Sequence, residues 1–378
     1  MFLMHTSNEF STKVYYIMKK ILVMIFSIIL FVVASSVIFY RCAPQFGASP
    51  SKIERQRIER SPNFKDGKFV NLETTPVMVK KINYFKMFKE VINSSKVNAP
   101  KTPIETKVFD KNRFLQNDSA ISMTWFGHST VLLRVEGINI ITDPVFSKRA
   151  SPFSFAGTKA FNYTHEMLID SLPAIDYVII SHDHYDHLDY NSIKKLNLIT
   201  KKFLVPLGVR AHLERWGVPS EKIVDLDWWE KYEIDSLHWF VNTPARHFSG
   251  RRMGNRNSTL FSSWVINIGN YRLFFGGDSG YGLHFKQIGD KYGPFNLTML
   301  ECGQYNEHWA YIHSFPEQTI QANIDLKGKQ LLPIHWGKFL LNLSPWHESI
   351  ERARKEAQIK GADIVSPTIG EVVKITTK

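Results

Sequence analysis

The sequence has few cysteines and almost no charge excess over most of its length, and each shortage excludes a class of protein. Two cysteines in 378 residues cannot form the disulfide framework of a small secreted domain. Residues 1–117 carry 19 Lys and Arg against 8 Asp and Glu, whereas the rest carries 28 against 27. This near-neutral remainder lacks the basic surface that a nucleic-acid enzyme needs around its active cleft, so no nucleic-acid partner is expected.

One long hydrophobic run is present, at residues 21–40, and its only polar residues are three serines and the terminal tyrosine. A helix of this length spans about 30 Å, the thickness of a bilayer's hydrocarbon core. A cleaved signal peptide is the alternative, although its apolar part is usually shorter, about 7–15 residues. We expect a transmembrane anchor at 18–41. Residues 1–17 are either a short N-terminal tail or a mis-annotated extension, because Met18 followed by two lysines resembles a natural start. Basic residues flank the run on both sides and leave the side of the membrane open.

Residues 42–117 are predicted to be a basic linker and arm. The first part, 42–73, is rich in Pro, Gly, Ser and mixed charge, as linkers are. Apolar residues then recur at helical spacing with lysines between them, at Met78, Ile82, Phe85, Phe88 and Ile92. This pattern predicts a basic amphipathic helix, which either lies on a membrane surface or packs on the following domain.

Residues 118–378 are predicted to form an α/β domain of short strands. Glu136-Gly137 and Gly269-Asn270 each separate two apolar runs and predict β-hairpins. Four apolar runs, one of them from the second hairpin, are followed closely by candidate metal-binding residues: 177–180, 239–243, 271–275 and 331–334. Because a rigid sheet can bring loops at its strand ends together, these residues are expected to share one site.

The candidate metal ligands are imidazoles and carboxylates, which suit zinc and also manganese or iron. Four of them lie within six positions, too many for one tetrahedral ion that must leave a place for water. A pair of ions about 3.5–4 Å apart is therefore predicted. Taken singly, each residue is more often an ordinary core, turn or surface residue, so the compact cluster carries the prediction. The seven candidates are His182, His184, Asp186, His187, His247, Asp278 and His335.

The cluster at 182–187 has the HxHxDH pattern of the metallo-β-lactamase superfamily. Further stretches make the chain resemble the N-acylphosphatidylethanolamine-hydrolysing phospholipase D family. HxHxDH is typical of the whole superfamily, whereas Asp-Trp-Trp-Glu at 227–230 and His-Trp-Gly at 335–337 are more selective. The stretches that carry the resemblance are 124–130, 142–147, 149–152, 181–190, 225–230, 276–281 and 334–337.

The resemblance implies a fold and a distribution of ligands. The fold is a four-layer αββα sandwich, here preceded by the transmembrane helix. One zinc is implied at His182, His184 and His247, a second at Asp186, His187 and His335, and Asp278 is implied to bridge them. Asp143, in a Thr-Asp-Pro stretch, is implied to orient a ligand from behind the site, with a turn or N-cap role as the alternative.

His313 matches the family histidine near the scissile phosphate. Residues 314–318 depart from the acidic run that usually follows this histidine, so the acyl preference stays open. An exposed loop histidine is the alternative reading of His313. As a catalytic group, His313 would act as an acid or an orienter, because imidazole titrates in the useful range.

Together these features predict a membrane-bound binuclear zinc phosphodiesterase of phospholipase D type. It would hydrolyse N-acylphosphatidylethanolamine-like phospholipids to N-acylethanolamine and phosphatidic acid, with Asp186, Asp278 and His313 as the catalytic residues. One alternative is a lactonase or phosphodiesterase acting on a soluble phosphorylated small molecule, similar to the ascorbate-6-phosphate lactonases. Another is a membrane-tethered binding protein without catalysis. A homodimer is left open.

Overall fold

A computed structural model of the chain describes residues 3–79, 89, 97–116 and 121–375, with side chains from residue 14 onward. The predicted amphipathic helix at 78–92 falls almost wholly outside these residues. The chain divides into two compact units, residues 1–46 and 47–378, and each has its own architecture.

The first unit is a single long helix, α1 (Leu3–Cys42), followed by one short turn. No proline or glycine occurs between residues 3 and 42, and the helix ends just before Pro44, which is poorly tolerated inside helices. The stretch Val14–Cys42 is long and apolar enough to cross a membrane by length and composition. Its large side chains are exposed; Phe26 and Phe31, for example, are 67% and 73% exposed. This helix contains the predicted hydrophobic run at 21–40.

The second unit begins with a segment that packs on the larger domain. Helix α2 (Lys52–Glu59) starts at Ser51, whose side chain accepts from the Glu54 N–H in a capping box. A small hairpin, β1 (Phe64–Lys65) and β2 (Lys68–Phe69), follows it. Ile58 and Phe69 are buried against a cluster that includes Leu207, Trp228 and Phe261. Part of the predicted linker is therefore ordered on the domain surface.

Two seven-stranded sheets form the centre of this unit. Sheet I consists of β3 (Ile121–Trp125), β4 (Val131–Val135), β5 (Ile138–Thr142), β8 (Ile175–Ile179), β9 (Thr200–Pro206), β10 (Ile223–Leu226) and β18 (Val372–Ile375). Sheet II consists of β11 (Lys231–Glu233), β12 (His238–Pro244), β13 (Ser262–Ile268), β14 (Tyr271–Phe275), β15 (Phe295–Glu301), β16 (Gly328–Ile334) and β17 (Asp363–Ile364). The strand orders are β10-β9-β8-β5-β4-β3-β18 and β11-β12-β13-β14-β15-β16-β17, and β6 (Arg149–Ala150) pairs separately with β7 (Thr158–Lys159).

Both predicted hairpins are confirmed. Strands β4 and β5 pair antiparallel with Val135 opposite Ile138, and β13 and β14 pair with Ile268 opposite Tyr271. In the first turn Glu136 and Gly137 have φ values of 46° and 83°. Positive φ at both central positions is what a two-residue hairpin turn requires.

The two sheets face each other across a common apolar core, and helices cover their outer faces. Along β14, Leu273 and Phe275 point into the core between the sheets, whereas Phe274 points outward onto Phe285 of the covering helix. Burying such a side chain contributes roughly 1.5–3 kcal/mol. The remaining helices are α3 (Lys111–Phe114), α4 (Tyr190–Leu196), α5 (Arg210–Arg215), α6 (His284–Tyr292), α7 (Pro316–Asp325) and α8 (Glu348–Lys360). The predicted αββα sandwich is confirmed.

Candidate metal centre

The seven predicted ligands come together at one edge of the sandwich. Residues 182–187 follow β8 of sheet I, whereas His247, Asp278 and His335 follow β12, β14 and β16 of sheet II. Five of the seven are buried, and His184 and Asp186 are half-buried. Strand order thus explains why residues 153 positions apart in the sequence meet in one cleft.

Three histidines form the first group, and their ring nitrogens converge. His182 Nε2 lies 2.8 Å from His184 Nδ1, and His247 Nε2 lies 3.3 Å from the same nitrogen. Burial lowers the pKa of all three rings, so they are neutral near pH 7. Neutral imidazoles with converging nitrogens have lone pairs available for a metal ion.

The second group contains Asp186, His187 and His335. Asp186 Oδ2 lies 3.4 Å from Nε2 of both His187 and His335. A fourth member is His128, whose Nε2 lies 2.9 Å from the same carboxylate oxygen. Burial lowers the pKa of His128 to about 3, so this ring is neutral. Its neighbouring motif was recognised in the sequence, but its place among the ligands was not predicted.

Asp278 lies between the two groups. Its Oδ2 is 3.1 Å from Nε2 of both His187 and His335, and 3.7 and 3.9 Å from Nε2 of His247 and His182. Among the described residues, Asp278 Oδ1 and His187 Nε2 are buried without a hydrogen-bond partner. Such atoms cost free energy unless a further group satisfies them. The donor set and these unsatisfied atoms fit metal ions.

Carboxylates and carbonyls behind the ligands fix the imidazole rings. Asp143 Oδ2 lies 2.6 Å from His187 Nδ1, and Asp143 Oδ1 accepts from the Ser181 N–H at 2.7 Å. His247 Nδ1 lies 2.9 Å from the carbonyl oxygen of Ile312. Burial opposes the charge on His187, but Asp278 and Asp186 raise its pKa above the ordinary value. Asp143 is thus positioned to set the orientation of the His187 ring, as expected of a group behind a ligand.

Glu301 is a second buried carboxylate at the site, and it was missed in the sequence. It ends β15, and its Oε2 lies 2.7 Å from Nδ1 of His313. His313, the predicted acid or orienter, lines the cavity above the ligands. An isolated glutamate that closes an apolar run resembles a turn residue, although its position on a strand between the two ligand-bearing strands β14 and β16 was a usable signal.

Two backbone hydrogen bonds join the sheets at the base of the centre. The His128 N–H donates to the Trp336 carbonyl at 2.8 Å, and the His335 N–H donates to the His128 carbonyl at 3.0 Å. His128 follows β3 of sheet I, and His335 follows β16 of sheet II. Both residues have positive φ, 52° and 67°, which few non-glycine residues adopt. We name this pair of bonds the backbone seam.

A cavity of about 360 Å³ opens above the seven residues. Its floor includes His184, Asp186, His247, Asp278 and His335, and its walls are mainly apolar. The wall residues are Val77, Met78, Phe248, Trp309, Ile312 and Leu341. A site with charged ligands at one end and apolar walls at the other suits an amphipathic molecule.

Residues 71–79 form part of this wall and are hydrogen-bonded to the domain. Asn71 donates to the His247 carbonyl and accepts from the His247 N–H, at 2.9 and 3.0 Å. The guanidinium of Arg246 donates to the carbonyl of Thr74 and the hydroxyl of Thr75. The Val79 N–H donates to the His308 carbonyl at 2.8 Å. These bonds place Val77 and Met78 over the candidate ligands.

Comparison with known proteins agrees with this geometry. The family model described as "Beta-lactamase superfamily domain" matches residues 138–336. An uncharacterized protein of Mycobacterium tuberculosis is 40% identical over 87% of this chain and 88% of its own length. The N-acyl-phosphatidylethanolamine-hydrolyzing phospholipase D 1 of Caenorhabditis elegans is 31% identical over 71% of this chain and 82% of its own.

Solved structures share the fold at low sequence identity. Igni18, a metallo hydrolase from Ignicoccus hospitalis, has a TM-score of 0.53 and 21% identity, covering 68% of this chain and all of that one. An isothiocyanate hydrolase from Delia radicum gut bacteria has a TM-score of 0.54 and 17% identity with the same coverage. The chain is therefore a metal-dependent hydrolase that belongs to the beta-lactamase superfamily and, within it, to the N-acylphosphatidylethanolamine-hydrolysing phospholipase D family.

Proposed function

We propose that this hydrolase is a phosphodiesterase of phospholipase D type, which releases N-acylethanolamine and phosphatidic acid from N-acylphosphatidylethanolamine-like lipids. The observation that carries the proposal is the two-sided cavity. Its floor offers imidazoles and carboxylates for a metal-assisted attack on a phosphodiester, and its apolar walls, including Met78 and Trp309, suit an acyl chain. The Caenorhabditis elegans relative, named for this activity, supports the same substrate class.

Two zinc ions are proposed, with His182, His184 and His247 on one and Asp186, His187 and His335 on the other. Asp278 lies between the two groups and is the proposed bridge; manganese or iron fits the same donors. When bound, such ions supply a hydroxide nucleophile at neutral pH and offset negative charge on the phosphoryl oxygens. Asp143 keeps the Nε2 of His187 directed toward this centre through its contact with Nδ1.

The chain's own residues handle the leaving group and the lipid. In the hydrolysis, the water oxygen forms a new bond to phosphorus, and the bond from phosphorus to the ethanolamine oxygen breaks. That oxygen leaves with the bonding electron pair and needs a proton. His313 lines the cavity, so its Nε2 is proposed to take up the proton that the attacking water loses and to donate it to the leaving oxygen. The apolar wall residues Phe248 and Trp309 exclude bulk water from the reacting atoms.

A membrane location is proposed for the enzyme, with α1 as a single-pass anchor. The 29-residue apolar stretch and its exposed side chains support this assignment, because exposed apolar surface of this extent is stable in lipid rather than in water. An anchored domain remains close to a phospholipid substrate.

The proposal is tested on the full chain purified in detergent and loaded with zinc. We expect about two zinc ions per chain, and release of N-acylethanolamine from vesicles that contain N-acylphosphatidylethanolamine. Removing the metal with a chelator should stop the release, and adding zinc back should restore it. Hydrolysis of bis(p-nitrophenyl) phosphate or a soluble phosphorylated lactone, without release from the lipid, would overturn the lipid assignment and leave a hydrolase of another substrate.

A further inference from the structure

Glu301 is held rigidly inside the candidate centre. The residue is 3% exposed, so its charge requires partners. Its Oε1 accepts from the backbone N–H groups of Ser279, at 2.6 Å, and Ser314, at 3.4 Å. Because both donors belong to the main chain, this oxygen is fixed as an acceptor. The second oxygen, Oε2, is therefore fixed as well.

The second oxygen of Glu301 lies between two imidazoles. It is hydrogen-bonded to His313 Nδ1 at 2.7 Å and lies 3.3 Å from His335 Nδ1 without forming a hydrogen bond. The His313 and His335 rings stack, with centroids 5.2 Å apart and planes 18° apart. An unprotonated carboxylate oxygen favours the N–H form of the nitrogen that faces it. One carboxylate thus contacts a candidate metal ligand and the candidate acid together.

The consequence for each ring follows from imidazole chemistry. When Nδ1 of a neutral imidazole carries the hydrogen that faces Glu301, Nε2 carries no hydrogen, and its lone pair is available on the cavity side. For His335, Nε2 lies 3.1 Å from the Asp278 carboxylate, on the side of the metal ligands. For His313, which is not among the seven predicted ligands, Nε2 is left without a hydrogen, so it can take up a proton and pass it to the leaving oxygen.

We propose that Glu301 is a positioning residue for the leaving group, acting through His313, and this inference rests on the proposed phosphodiesterase function. Asp143 already has the equivalent relation to His187, but there the imidazole is only a ligand. Glu301 differs because one carboxylate oxygen faces both the candidate ligand His335 and the candidate acid His313, and so fixes their relative positions. Loss of Glu301 should therefore slow hydrolysis most for those substrates whose leaving oxygen needs a proton.

Glu301→Gln is the sharpest variant, because it conserves shape and reverses one hydrogen-bonding role. The amide oxygen must face the Ser279 N–H, which needs an acceptor, so the NH₂ group faces His313 and His335. Nδ1 of His313 must then accept, and the hydrogen moves to Nε2. A neutral ring in this form can hold a hydrogen bond through Nε2, but it cannot take up a proton there and pass it on. Glu301→Asp, which keeps a carboxylate, is the conservative rescue. Glu317→Gln is the matched control, because Glu317 pairs with Arg352 at 2.8 Å outside the cavity.

The kinetic test compares two leaving groups in zinc-loaded enzymes. The lipid releases an alkoxide that needs a proton, whereas bis(p-nitrophenyl) phosphate releases a stable nitrophenolate. We expect Glu301→Gln to lower kcat on the lipid about 10²-fold, and kcat on the aryl diester about tenfold through His335. His313→Gln should show the same preference for the aryl diester, and the double variant should lose little more on the lipid. An equal loss on both substrates would overturn the proposal.

A second readout does not depend on the substrate. The ¹⁵N shifts of the His313 ring should report hydrogen on Nδ1 in the wild type and in Glu317→Gln, and on Nε2 in Glu301→Gln. An unchanged tautomer in Glu301→Gln overturns the positioning role even if the enzyme is active. Conversely, a chain that hydrolyses no lipid but shows this tautomer change contradicts the proposed substrate and keeps the role of Glu301 in orienting His313.

Discussion

Four of the seven candidate ligands lie in one loop, residues 181–188, whereas His247, Asp278 and His335 each come from a separate strand end. The loop is held by side chains around it; Arg251, for example, donates to the carbonyls of Asp183 and Leu188 at 2.7 Å each. The strand-end ligands are held by the hydrogen-bonded ladder of sheet II. This difference predicts two kinds of response. A change in the packing around the loop should affect all four of its candidate ligands, whereas a change at a strand-end ligand should affect that ligand alone.

The largest effect is expected at Asp278, the strand-end residue that lies between the two groups of candidate ligands. Asp278→Asn removes the charge that faces imidazoles of both groups, so turnover should fall at least about 10³-fold. Zinc analysis on the same sample should show fewer than two ions, while circular dichroism should keep the wild-type spectrum. The exposed residue Asp235 provides the control variant Asp235→Asn, which should behave as wild type. Full activity in Asp278→Asn would contradict the bridging role.

A smaller effect, limited to the loop half, is expected for Asp143→Asn. The Ser181 N–H needs an acceptor, so the new amide should turn its NH₂ group toward His187 and displace the hydrogen from Nδ1. We expect a loss of roughly 10–100-fold in zinc affinity at one of the two positions. Competition with a chelator, monitored as zinc bound per chain, measures this directly. Equal weakening of both zinc positions would mean that the change at His187 spreads through the loop to His182 and His184.

The smallest of the three effects is expected for Arg251→Lys, which loosens the loop without touching a ligand. The guanidinium lies 4.1 Å above the Tyr185 ring and bonds two carbonyls, a geometry that an ammonium cannot reproduce. The metal-free protein should lose about 0.5–1.5 kcal/mol in free energy of unfolding, and zinc should recover part of it. Denaturant unfolding with and without zinc checks both. The exposed control Arg215→Lys should change neither value.

The sequence was informative where chemistry is local and weaker where it depends on distance. The four close ligands at 182–187 could be recognised from spacing alone, and both hairpins followed from their turn residues. His247, Asp278 and His335 were each unremarkable residues after apolar runs, and the family resemblance supplied their grouping. Strand ends were predicted to within three residues. The strands 175–179, 238–244 and 328–334 begin before their apolar runs, because backbone pairing includes polar residues such as Gln330.

Glu301 shows why the rest could not be predicted. Its importance comes from contacts with residues 12 and 34 positions away, which depend on how β15, β16 and the 302–315 loop fold together. His128 is similar, because its contact with Asp186 spans 58 positions and joins the loops after β3 and β8, which are not neighbours in sheet I. Sequence patterns report periodicity and local spacing, whereas both of these roles arise only from the pairing of elements.

The backbone seam between His128, His335 and Trp336 has a consequence for how this enzyme can move and be redesigned. Parting the two sheets to admit a substrate would break both main-chain bonds at the base of the centre. Breathing motions should instead be concentrated in the covering segment 71–79 and the 305–311 loop. The floor of the cavity should then stay rigid, and the wall residues Val77, Met78 and Leu341 can be substituted without disturbing it. If the substrate is the proposed lipid, exchanging them should change the preferred acyl-chain length without altering the candidate metal ligands.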